Sequence, residues 1–480
     1  MTEPPDELDT WLARDVEPLA PPPGTFERVR SRARRRKRNQ VLMASAAAAV
    51  VIAGGVLIPA AATGLLTGSD QSAGPAAAAR PHSPTPAAPT HPPASTPPAT
   101  TTTAPAAGAG SALSATTSGV AAPANFQPTS ITMISGSVGA VIGQAGTPGH
   151  CGPPVAGDCT SLAGTSDYGS SWYGVSAPVT SAPDGGTGVS QLRFLSLTDG
   201  WAYGPALYAT SDGGRSWTTA PASGLRVTAL EAGGDRAFAV LASCPGSGAA
   251  YAAGCSTFSL YSMPAGTASL QPVPLDIPSS VSAGAMGTAG VPASASVVIK
   301  GDAADPEAGT GYLYAPSGDI LTGSVGGGAW TYAGRAPCVP GTAGASGAPT
   351  GGQLAVAGRL LVLTCASDGS QPGQLWESAD GADWTRVTVT GGAGAARSLA
   401  ATSASHLVLA TTAGLFYATV PGPAAWHAAS VAGGVPAGGF SYVGMTSPAR
   451  GVALPADAAL GEVFISRDGG QTWTPSRISG

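Results

Sequence analysis

Four aspartates stand in nearly the same surroundings, each two residues after a serine or threonine and four or five residues before a tryptophan. A carboxylate can act as a general acid or base, ligate a metal ion, or accept backbone N–H bonds in a tight turn. Glycines within two residues of each aspartate favour the turn, because glycine adopts positive φ angles readily. A residue that recurs in every repeat also stabilises the repeat more often than it acts once in catalysis, so we expect a structural role. The repeated positions are Asp167, Gly169 and Trp172; Asp212, Gly214 and Trp217; Asp380, Gly381 and Trp384; and Asp468, Gly470 and Trp473.

Other carboxylates offer material for hydrolysis of a glycosidic bond, which uses a pair of acidic side chains. The candidates for such a pair are Asp184, Asp199, Asp302, Asp305, Glu307 and Asp319. Their ordinary role is in solvated turns. The sequence also contains no Gly-x-Ser-x-Gly elbow, no P-loop and no nucleotide-binding glycine fingerprint after a strand. The pattern therefore leans against an enzyme, and we predict no catalytic residues and no cofactor.

The tryptophans set the period of the repeat. Six of the nine stand at equivalent positions, 172, 217, 330, 384, 426 and 473, and all gaps but one lie between 42 and 54 residues. The long gap holds a weaker copy near Leu260, so the count is seven units. Repeats of this length with Asp-Gly turns predict radially arranged β-blades. With 69 glycines, 44 prolines and 10% charged residues, we expect an all-β fold: a seven-bladed β-propeller of four-stranded blades over residues 126–480.

Two units can be followed strand by strand from the alternation of apolar and polar residues. The strands predicted for the first are 191–197, 201–204, 207–210 and 217–220. The last unit repeats this plan with strands at 440–445, 451–454 and 463–466, followed by Trp473.

The repeated segments resemble the Asp box, or bacterial neuraminidase repeat, of the pattern Ser/Thr-x-Asp-x-Gly-x-Thr-Trp. Residues 165–172, 210–217, 378–384 and 466–473 carry the resemblance. Asp boxes occur in sialidases, other glycosidases, sortilin-type receptors and photosystem II assembly propellers. The resemblance implies a hairpin in which the aspartate accepts backbone N–H bonds between the third and fourth strands of a blade, and it implies no particular activity. The copy at 378–384 is one residue shorter, so its turn must differ.

A sialidase, as one implication of the resemblance, needs an arginine triad, a tyrosine activated by a glutamate, and an aspartate acid/base. The Phe-Arg-Ile-Pro motif of that family is absent. Arginines such as Arg193 and Arg226 are present, but the glutamates beyond residue 66 are limited to Glu231, Glu307, Glu377 and Glu462. None of these has a recognisable nucleophile setting, so sialidase-like activity is an alternative rather than the main prediction.

A run of 26 residues without charge, 41–66, predicts a transmembrane helix. Eight arginines and lysines lie between Arg28 and Arg38, whereas the next basic residue is Arg80, so the N-terminus is predicted to be cytoplasmic and the bulk of the chain extracytoplasmic. The alternative is a cleaved signal peptide with 60–62 as its cleavage site. Because the run is long and follows 40 residues, the sequence favours a retained signal anchor in the cell membrane.

The segments around this helix have different compositions. Residues 1–40 predict a mostly disordered tail, and an apolar group at Leu8, Trp11 and Leu12 leaves open a cytoplasmic partner. Residues 67–125 are rich in Pro, Ala and Thr and predict an extended linker. Beyond residue 66 there are 13 basic and 20 acidic residues, so no nucleic-acid partner is predicted. A single anchor, this stalk and only two lysines are together similar to exported repeat proteins of high-GC Gram-positive bacteria.

The six cysteines all follow the predicted anchor, where thiols tend to be oxidised. None has Cys-x-x-Cys spacing, and the five histidines are scattered, so no metal site is predicted. Several pairings are possible. We favour sequence neighbours, since these close loops within single repeats: Cys151 with Cys159, Cys244 with Cys255, and Cys338 with Cys365.

The sequence thus predicts a membrane-tethered extracytoplasmic propeller that binds a cell-surface glycan or a protein partner and is not catalytic. One alternative is a sialidase-like or other glycoside hydrolase with carboxylates on the propeller axis. A second alternative is a transmembrane sensor whose N-terminal tail contacts a cytoplasmic partner.

Overall fold

The computed structural model describes residues 113, 120–145, 159–180, 188–220, 224–244, 256–278, 295–300, 309–338, 352–365, 373–403, 406–419 and 424–478. The tail and the transmembrane helix predicted for 1–66, and most of the predicted linker, lie outside these residues. Within the described part the only helix is a 3-10 turn, Ala458–Leu460, and no helix there is long and apolar enough to cross a membrane.

The described residues form seven sheets, four of them wholly antiparallel and three with one parallel pair, which are the blades of a propeller. Blade 1 contains β1 (Gln127–Met133), β2 (Gly139–Ala145), β3 (Cys159–Thr165) and β4 (Tyr173–Val175). Blade 2 contains β5 (Gln191–Phe194), β6 (Gly200–Tyr203), β7 (Leu207–Thr210) and β8 (Thr218–Thr219). Blade 3 contains β9 (Arg226–Gly233), β10 (Arg236–Ser243), β11 (Ser256–Pro264) and β12 (Gln271–Pro272). Blade 4 contains β13 (Leu275–Asp276), β14 (Ser296–Lys300), β15 (Thr310–Tyr314), β16 (Asp319–Ser324) and β17 (Trp330–Arg335).

The remaining three blades follow in chain order. Blade 5 contains β18 (Gln353–Ala357), β19 (Leu360–Thr364), β20 (Leu375–Ser378) and β21 (Thr385–Val387). Blade 6 contains β22 (Val389–Gly391), β23 (Ala396–Ser403), β24 (His406–Thr411), β25 (Gly414–Thr419) and β26 (Ala424–Ala428). Blade 7 contains β27 (Ser430–Val431), β28 (Phe440–Met445), β29 (Gly451–Pro455), β30 (Glu462–Ser466) and β31 (Thr472–Arg477). The innermost strands of successive blades lie side by side, and β1 contacts β29 and β30 of the last blade, which closes the ring.

This architecture confirms the predicted all-β, seven-bladed propeller. Four blades have the four strands expected, and three have a fifth. In blades 4, 6 and 7 the chain leaving the previous blade pairs in parallel with the outermost strand of the next one before it turns toward the axis, as β13 does with β17. The fifth strand covers backbone groups that an open sheet edge would leave unpaired.

The apolar core lies between the blades, and strand alternation explains why the second strands are almost continuously apolar. In β6, Trp201 and Tyr203 pack toward blade 3, whereas Ala202 packs toward blade 1. In β19, Leu361 and Leu363 face blade 4, and Val362 faces blade 6. Because successive side chains point to opposite faces and both faces are covered by a neighbouring blade, both sets of positions must be apolar.

Part of the segment predicted as a linker packs on the propeller. Leu113 is buried among side chains of blades 1 and 2, and its N–H donates to the carbonyl of Gly213 at 2.8 Å. Ala121 then bridges to Tyr173 at the outer edge of β4, and Ala122 is buried between blades 1 and 7. The propeller's packed structure therefore includes residues on the N-terminal side of position 126.

The two ends of the propeller differ in the length of their connections. The first four strands of a blade, counted outward from the axis, are antiparallel to their neighbours. The turn between the first and second strands and the turn between the third and fourth strands therefore lie at the same end, which we call the short-turn end, and none of these turns exceeds nine residues. Connections between second and third strands, and from blade to blade, begin and end at the opposite end, which we call the long-connection end. Every connection of ten residues or more begins and ends there: 146–158, 176–190, 244–255, 277–295, 336–352 and 365–374.

Candidate functional site

The four repeated aspartates lie in turns between the third and fourth strands of blades 1, 2, 5 and 7, which we call the Asp turns. In blade 2, Asp212 Oδ1 accepts the Ser216 N–H at 2.9 Å, and Oδ2 accepts the Ser216 hydroxyl at 2.6 Å. Thr210 joins the strand to the turn, since its hydroxyl donates to Asp212 and accepts the Gly214 N–H. Both carboxylate oxygens are therefore occupied inside the turn.

The Asp turns of blades 1 and 7 repeat these bonds. Asp167 accepts the N–H and hydroxyl of Ser171, at 2.9 and 2.5 Å, and Asp468 accepts those of Thr472, at 3.0 and 2.6 Å. The shorter turn of blade 5 differs, as its length requires. There Asp380 Oδ1 accepts the N–H groups of Ala382 and Asp383 and the Ser378 hydroxyl, but within the described residues no hydroxyl from the far side of the turn reaches the carboxylate.

The pKa values of these aspartates follow from the bonds. Partial burial opposes the charge of Asp167, Asp212 and Asp468, but the hydrogen bonds that each accepts within its turn together outweigh burial and lower their pKa values. In blade 5 the N–H of Ala382 lowers the pKa of Asp380 directly. A general acid needs a pKa raised toward the working pH, so these carboxylates are shifted in the wrong direction for that role.

A glycine of each Asp turn touches the preceding blade. A Cβ added to Gly470, at φ +90°, would lie 2.7 Å from Val408 of blade 6, and one added to Gly381, at φ +85°, would lie 2.8 Å from Ile320 of blade 4. Gly169 and Gly214 approach Ile465 and Val175 in the same way. Glycine is needed here both for positive φ and for the close approach of neighbouring blades.

The tryptophans complete these turns in different ways. Trp473 is fully buried and donates from Nε1 to the Gly470 carbonyl at 2.8 Å, and Trp384 makes the equivalent bond to Gly381. Trp172 and Trp217 reach instead to a neighbouring blade, at Ser476 and Ser176. Each ring thus fixes the turn to its own blade or to the preceding one.

Polar side chains bridge the blades at the short-turn end. Lys300 of blade 4 donates to the carbonyls of Arg359 and Ala379 in blade 5, at 3.2 and 3.1 Å. His406 of blade 6 contacts the Gly469 carbonyl in the Asp turn of blade 7. The backbone carbonyls exposed by these turns are thereby taken up within the molecule.

An ion pair lies between the innermost strands of blades 2 and 3. Arg193 Nε donates to Glu231 Oε2 at 3.3 Å, with 22% and 27% of the two side chains exposed. Glu231 raises the pKa of Arg193 above its already high value, whereas burial opposes this. Nearby, burial raises the pKa of Tyr203 to about 12, and its hydroxyl donates to the Leu230 carbonyl. A tyrosine nucleophile requires the opposite shift.

The six candidate carboxylates for a catalytic pair do not come together within the described residues. Asp199 accepts the hydroxyls of Ser196 and Thr198 in the first turn of blade 2. Asp319 is the first residue of β16 in blade 4 and is 2% exposed rather than solvated, with Oδ2 bonded to the Ser317 hydroxyl. Asp184, Asp302, Asp305 and Glu307 lie outside the described residues. Within those residues no three or more His, Cys, Asp or Glu side chains are grouped to hold a metal ion.

Cys338 and Cys365 form a disulfide, as the sequence predicts, but the reason given for it is wrong. Cys338 follows β17 of blade 4 and Cys365 follows β19 of blade 5, so the bond joins two blades rather than closing a loop within one. Cys159 and Cys244 are also disulfide-bonded; the partners predicted for them, Cys151 and Cys255, lie outside the described residues. The four cysteines that the structure describes lie at the long-connection end or border it.

Sequence reasoning did not identify three features of this geometry: the Arg193–Glu231 pair, the Lys300 bridge and the position of Tyr168. For Tyr168 a signal was present, because it stands in the Asp turn of blade 1 where Gly213 and Gly469 stand in blades 2 and 7. For the other two, nothing in sequence spacing relates residues on different blades.

No protein-family model matches the chain, and no curated protein matches it. Among solved structures, YCF48 from Cyanidioschyzon merolae is similar with 15% identity and a TM-score of 0.39 over 58% of this chain and 82% of that chain. An ancestral GH74 enzyme has 14% identity and a TM-score of 0.44, over 75% of this chain and 47% of its own. The β-propeller domain of the Trilobed protease from Pyrococcus furiosus has 9% identity and a TM-score of 0.42, over 74% and 97%. None of these likenesses bears on what this chain binds.

Proposed function

We propose that this chain is a membrane-tethered, extracytoplasmic propeller of the Asp-box type that binds a cell-surface glycan or a protein partner at its long-connection end and catalyses no reaction. The observation that carries the proposal is the difference between the two ends. Long connections on a rigid scaffold commonly form binding sites, and here all of them begin and end at one end of the propeller. The four Asp turns act structurally at the other end.

The composition of the long connections narrows the ligand. The six connections of ten residues or more contain no lysine and no arginine, and their acidic residues are Asp158, Asp184 and Asp368. Polyanions are bound through clustered basic side chains, so this end does not fit a polyanion. A neutral polysaccharide or an uncharged to basic protein segment fits better.

The tether and its direction are part of the proposal. The uncharged run at 41–66 and the basic residues before it support an anchor with the propeller outside the cell. The cystine that joins blades 4 and 5 is consistent with an oxidising compartment.

A glycoside hydrolase is the second candidate, and one observation favours it. Arg193 and Glu231 meet on the innermost strands and keep part of their surface exposed, which is where an axial active site would lie. Against it, Glu231 is held by Arg193 and by the Ala232 N–H. The raised pKa of Tyr203 also removes that tyrosine as a nucleophile.

The test uses the purified full-length chain in detergent with two measurements made in parallel: retention on immobilised neutral and acidic cell-wall glycans, and release of fluorescent product from sialosides and common glycosides. We expect retention on neutral glycan and no turnover. Glu231→Gln is the control for catalysis, since turnover by the wild type that this variant lacks would make the protein a hydrolase. If the chain shows no retention and no turnover, a glycan ligand is excluded and a protein partner is the remaining candidate, to be identified by cross-linking on cells.

A further inference from the structure

The ring closes between blades 1 and 7 without strand exchange. In the described residues, the sheet of blade 1 contains only strands from the N-terminal part of the propeller, in the order β1-β2-β3-β4, and blade 7 contains only strands from the C-terminal part. Among the residues described, no sheet joins blade 1 to blade 7 by main-chain hydrogen bonds, so side chains close this seam.

Tyr168 occupies an unfavourable backbone position at this seam. Its φ is +59°, in the left-handed region, and the corresponding residues of the other long Asp turns are Gly213 and Gly469, at φ +73° and +79°. A residue with a Cβ is disfavoured there relative to glycine. Such a residue persists where surrounding contacts compensate for it.

The backbone N–H of Tyr168 donates to the Ser137 carbonyl within blade 1, whereas the hydroxyl and the ring contact polar and charged groups of blade 7. Its hydroxyl lies 3.1 Å from the Gly451 carbonyl oxygen and 3.2 Å from that of Ser466, which are paired across β29 and β30. The guanidinium groups of Arg450 and Arg467 lie 4.9 and 5.3 Å from its ring centroid, within cation–π range. The side chain is 2% exposed, and burial raises its pKa to about 12, so the hydroxyl remains a donor at neutral pH.

Further bonds cross the same seam around this ring. Arg450 donates to the Gly136 carbonyl, and Arg467 donates to the Ser170 hydroxyl at 3.2 Å. Trp172 donates to Ser476, whose hydroxyl in turn contacts the Gly169 carbonyl. Below them lies an apolar cluster that includes Ile131 and Val141 of blade 1 and Val452 and Ile465 of blade 7.

We propose that Tyr168, with Arg450 and Arg467 in cation–π contact with its ring, is a ring-closing clasp that takes the place of strand exchange between the first and last blades. The Asp turn of blade 1 thus has a function that the other three do not have. Those turns lie at seams between blades that are consecutive in the chain, whereas the turn of blade 1 joins segments almost 300 residues apart, as the separation of 298 between Tyr168 and Ser466 shows.

The substitution Tyr168→Gly distinguishes a clasp from a residue that the turn merely tolerates, because the two hypotheses predict opposite changes in the unfolding midpoint. If Tyr168 were only a turn residue, glycine would relieve the backbone and raise the unfolding midpoint. If it is the clasp, glycine lowers the midpoint and opens the seam. In the full-length chain we expect amide exchange in β3, β4, β30 and β31 to become at least about tenfold faster, with β19 and β20 of blade 5 unchanged.

Two milder variants keep the test decisive if Tyr168→Gly does not fold. Tyr168→Phe keeps the ring between the arginines and removes only the hydroxyl, so we expect a smaller acceleration confined to the same strands. Arg450→Ala combined with Arg467→Ala keeps the hydroxyl and removes the cations. Arg215→Ala, at an exposed position in the Asp turn of blade 2, is the matched control. It should change neither the unfolding midpoint nor amide exchange in these strands. An unchanged or higher midpoint with unchanged exchange in these variants would overturn the proposal.

Discussion

The two ends of this propeller use their residues differently. At the short-turn end, carboxylates, hydroxyls, indoles and cations are hydrogen-bonded within their own blade or to a neighbouring one, as in Asp212 with Ser216 and Lys300 with Ala379. At the long-connection end the cross-link is covalent, and Cys338 and Cys365 fix two long connections to each other. The short-turn end is thus stabilised by many hydrogen bonds, whereas at the long-connection end a disulfide joins two of the connections.

The difference between the two ends indicates where insertions and substitutions are tolerated. A turn whose every polar group has an internal partner cannot accept insertions without losing bonds. Connections of up to 19 residues can change in sequence while the blades stay the same. We therefore expect substitutions at the short-turn end to alter stability without altering binding, and changes at the long-connection end to alter binding.

The largest effect is expected from Trp473→Ala at the short-turn end. Trp473 is 0% exposed and packs with Phe440 and Phe464, and removal of a buried tryptophan costs about 3–5 kcal/mol. The free energy of unfolding, measured by chemical denaturation, should fall by that amount. Trp217→Ala is the matched control, because Trp217 is only half-buried and should cost less. If both variants lost the same free energy of unfolding, the Asp turns of blades 2 and 7 would contribute equally to stability, contrary to this expectation.

The next effect is expected from the double variant Cys338→Ser and Cys365→Ser. The bond spans 27 residues of sequence, and loss of a cross-link of that length costs about 3 kcal/mol in the chain-entropy model. Because the cystine joins two long connections, ligand retention should also weaken. Trp473→Ala, once refolded at a temperature where it is fully native, should retain ligand normally. Normal retention by the double cysteine variant would contradict the assignment of the ligand to this part of the long-connection end.

A smaller effect is expected from Gly470→Ala, which tests the contact between an Asp turn and the preceding blade. The added Cβ meets Val408 at 2.7 Å and sits at φ +90°, so we expect a loss of about 2 kcal/mol. Gly433→Ala isolates the backbone contribution, because Gly433 has φ +83° with nothing within 4 Å. If the two variants lose equal stability, the close approach of the blades contributes nothing, and glycine is required there for φ alone.

The sequence predicted the fold well because each blade is a local unit. Strands predicted at 207–210 and 440–445 coincide with β7 and β28, since alternation, turn residues and tryptophan spacing all act within some 50 residues. Contacts across seams could not be predicted in the same way. The Arg193–Glu231 pair joins residues on two blades, and Cys338–Cys365 was paired for a reason that does not hold. The fifth strands were missed because two-residue segments such as Ser430–Val431 carry no periodic signal.

The smallest effect is expected from acid, and it concerns the Asp turns alone. The pKa of Asp212 is lowered in the folded chain from an ordinary value of 3.8, so its contribution to stability is complete above that value and is lost as the pH falls through the lower folded value. Asp212→Asn keeps an acceptor but no charge, so it should lose about 1 kcal/mol at pH 7 and lose less than the wild type between pH 4 and pH 2. The measurement is the unfolding free energy of both proteins across this range. Parallel curves would show that the carboxylate is no better bonded in the turn than in the unfolded chain, and the short-turn end would then owe its rigidity to packing and to the bridges between blades.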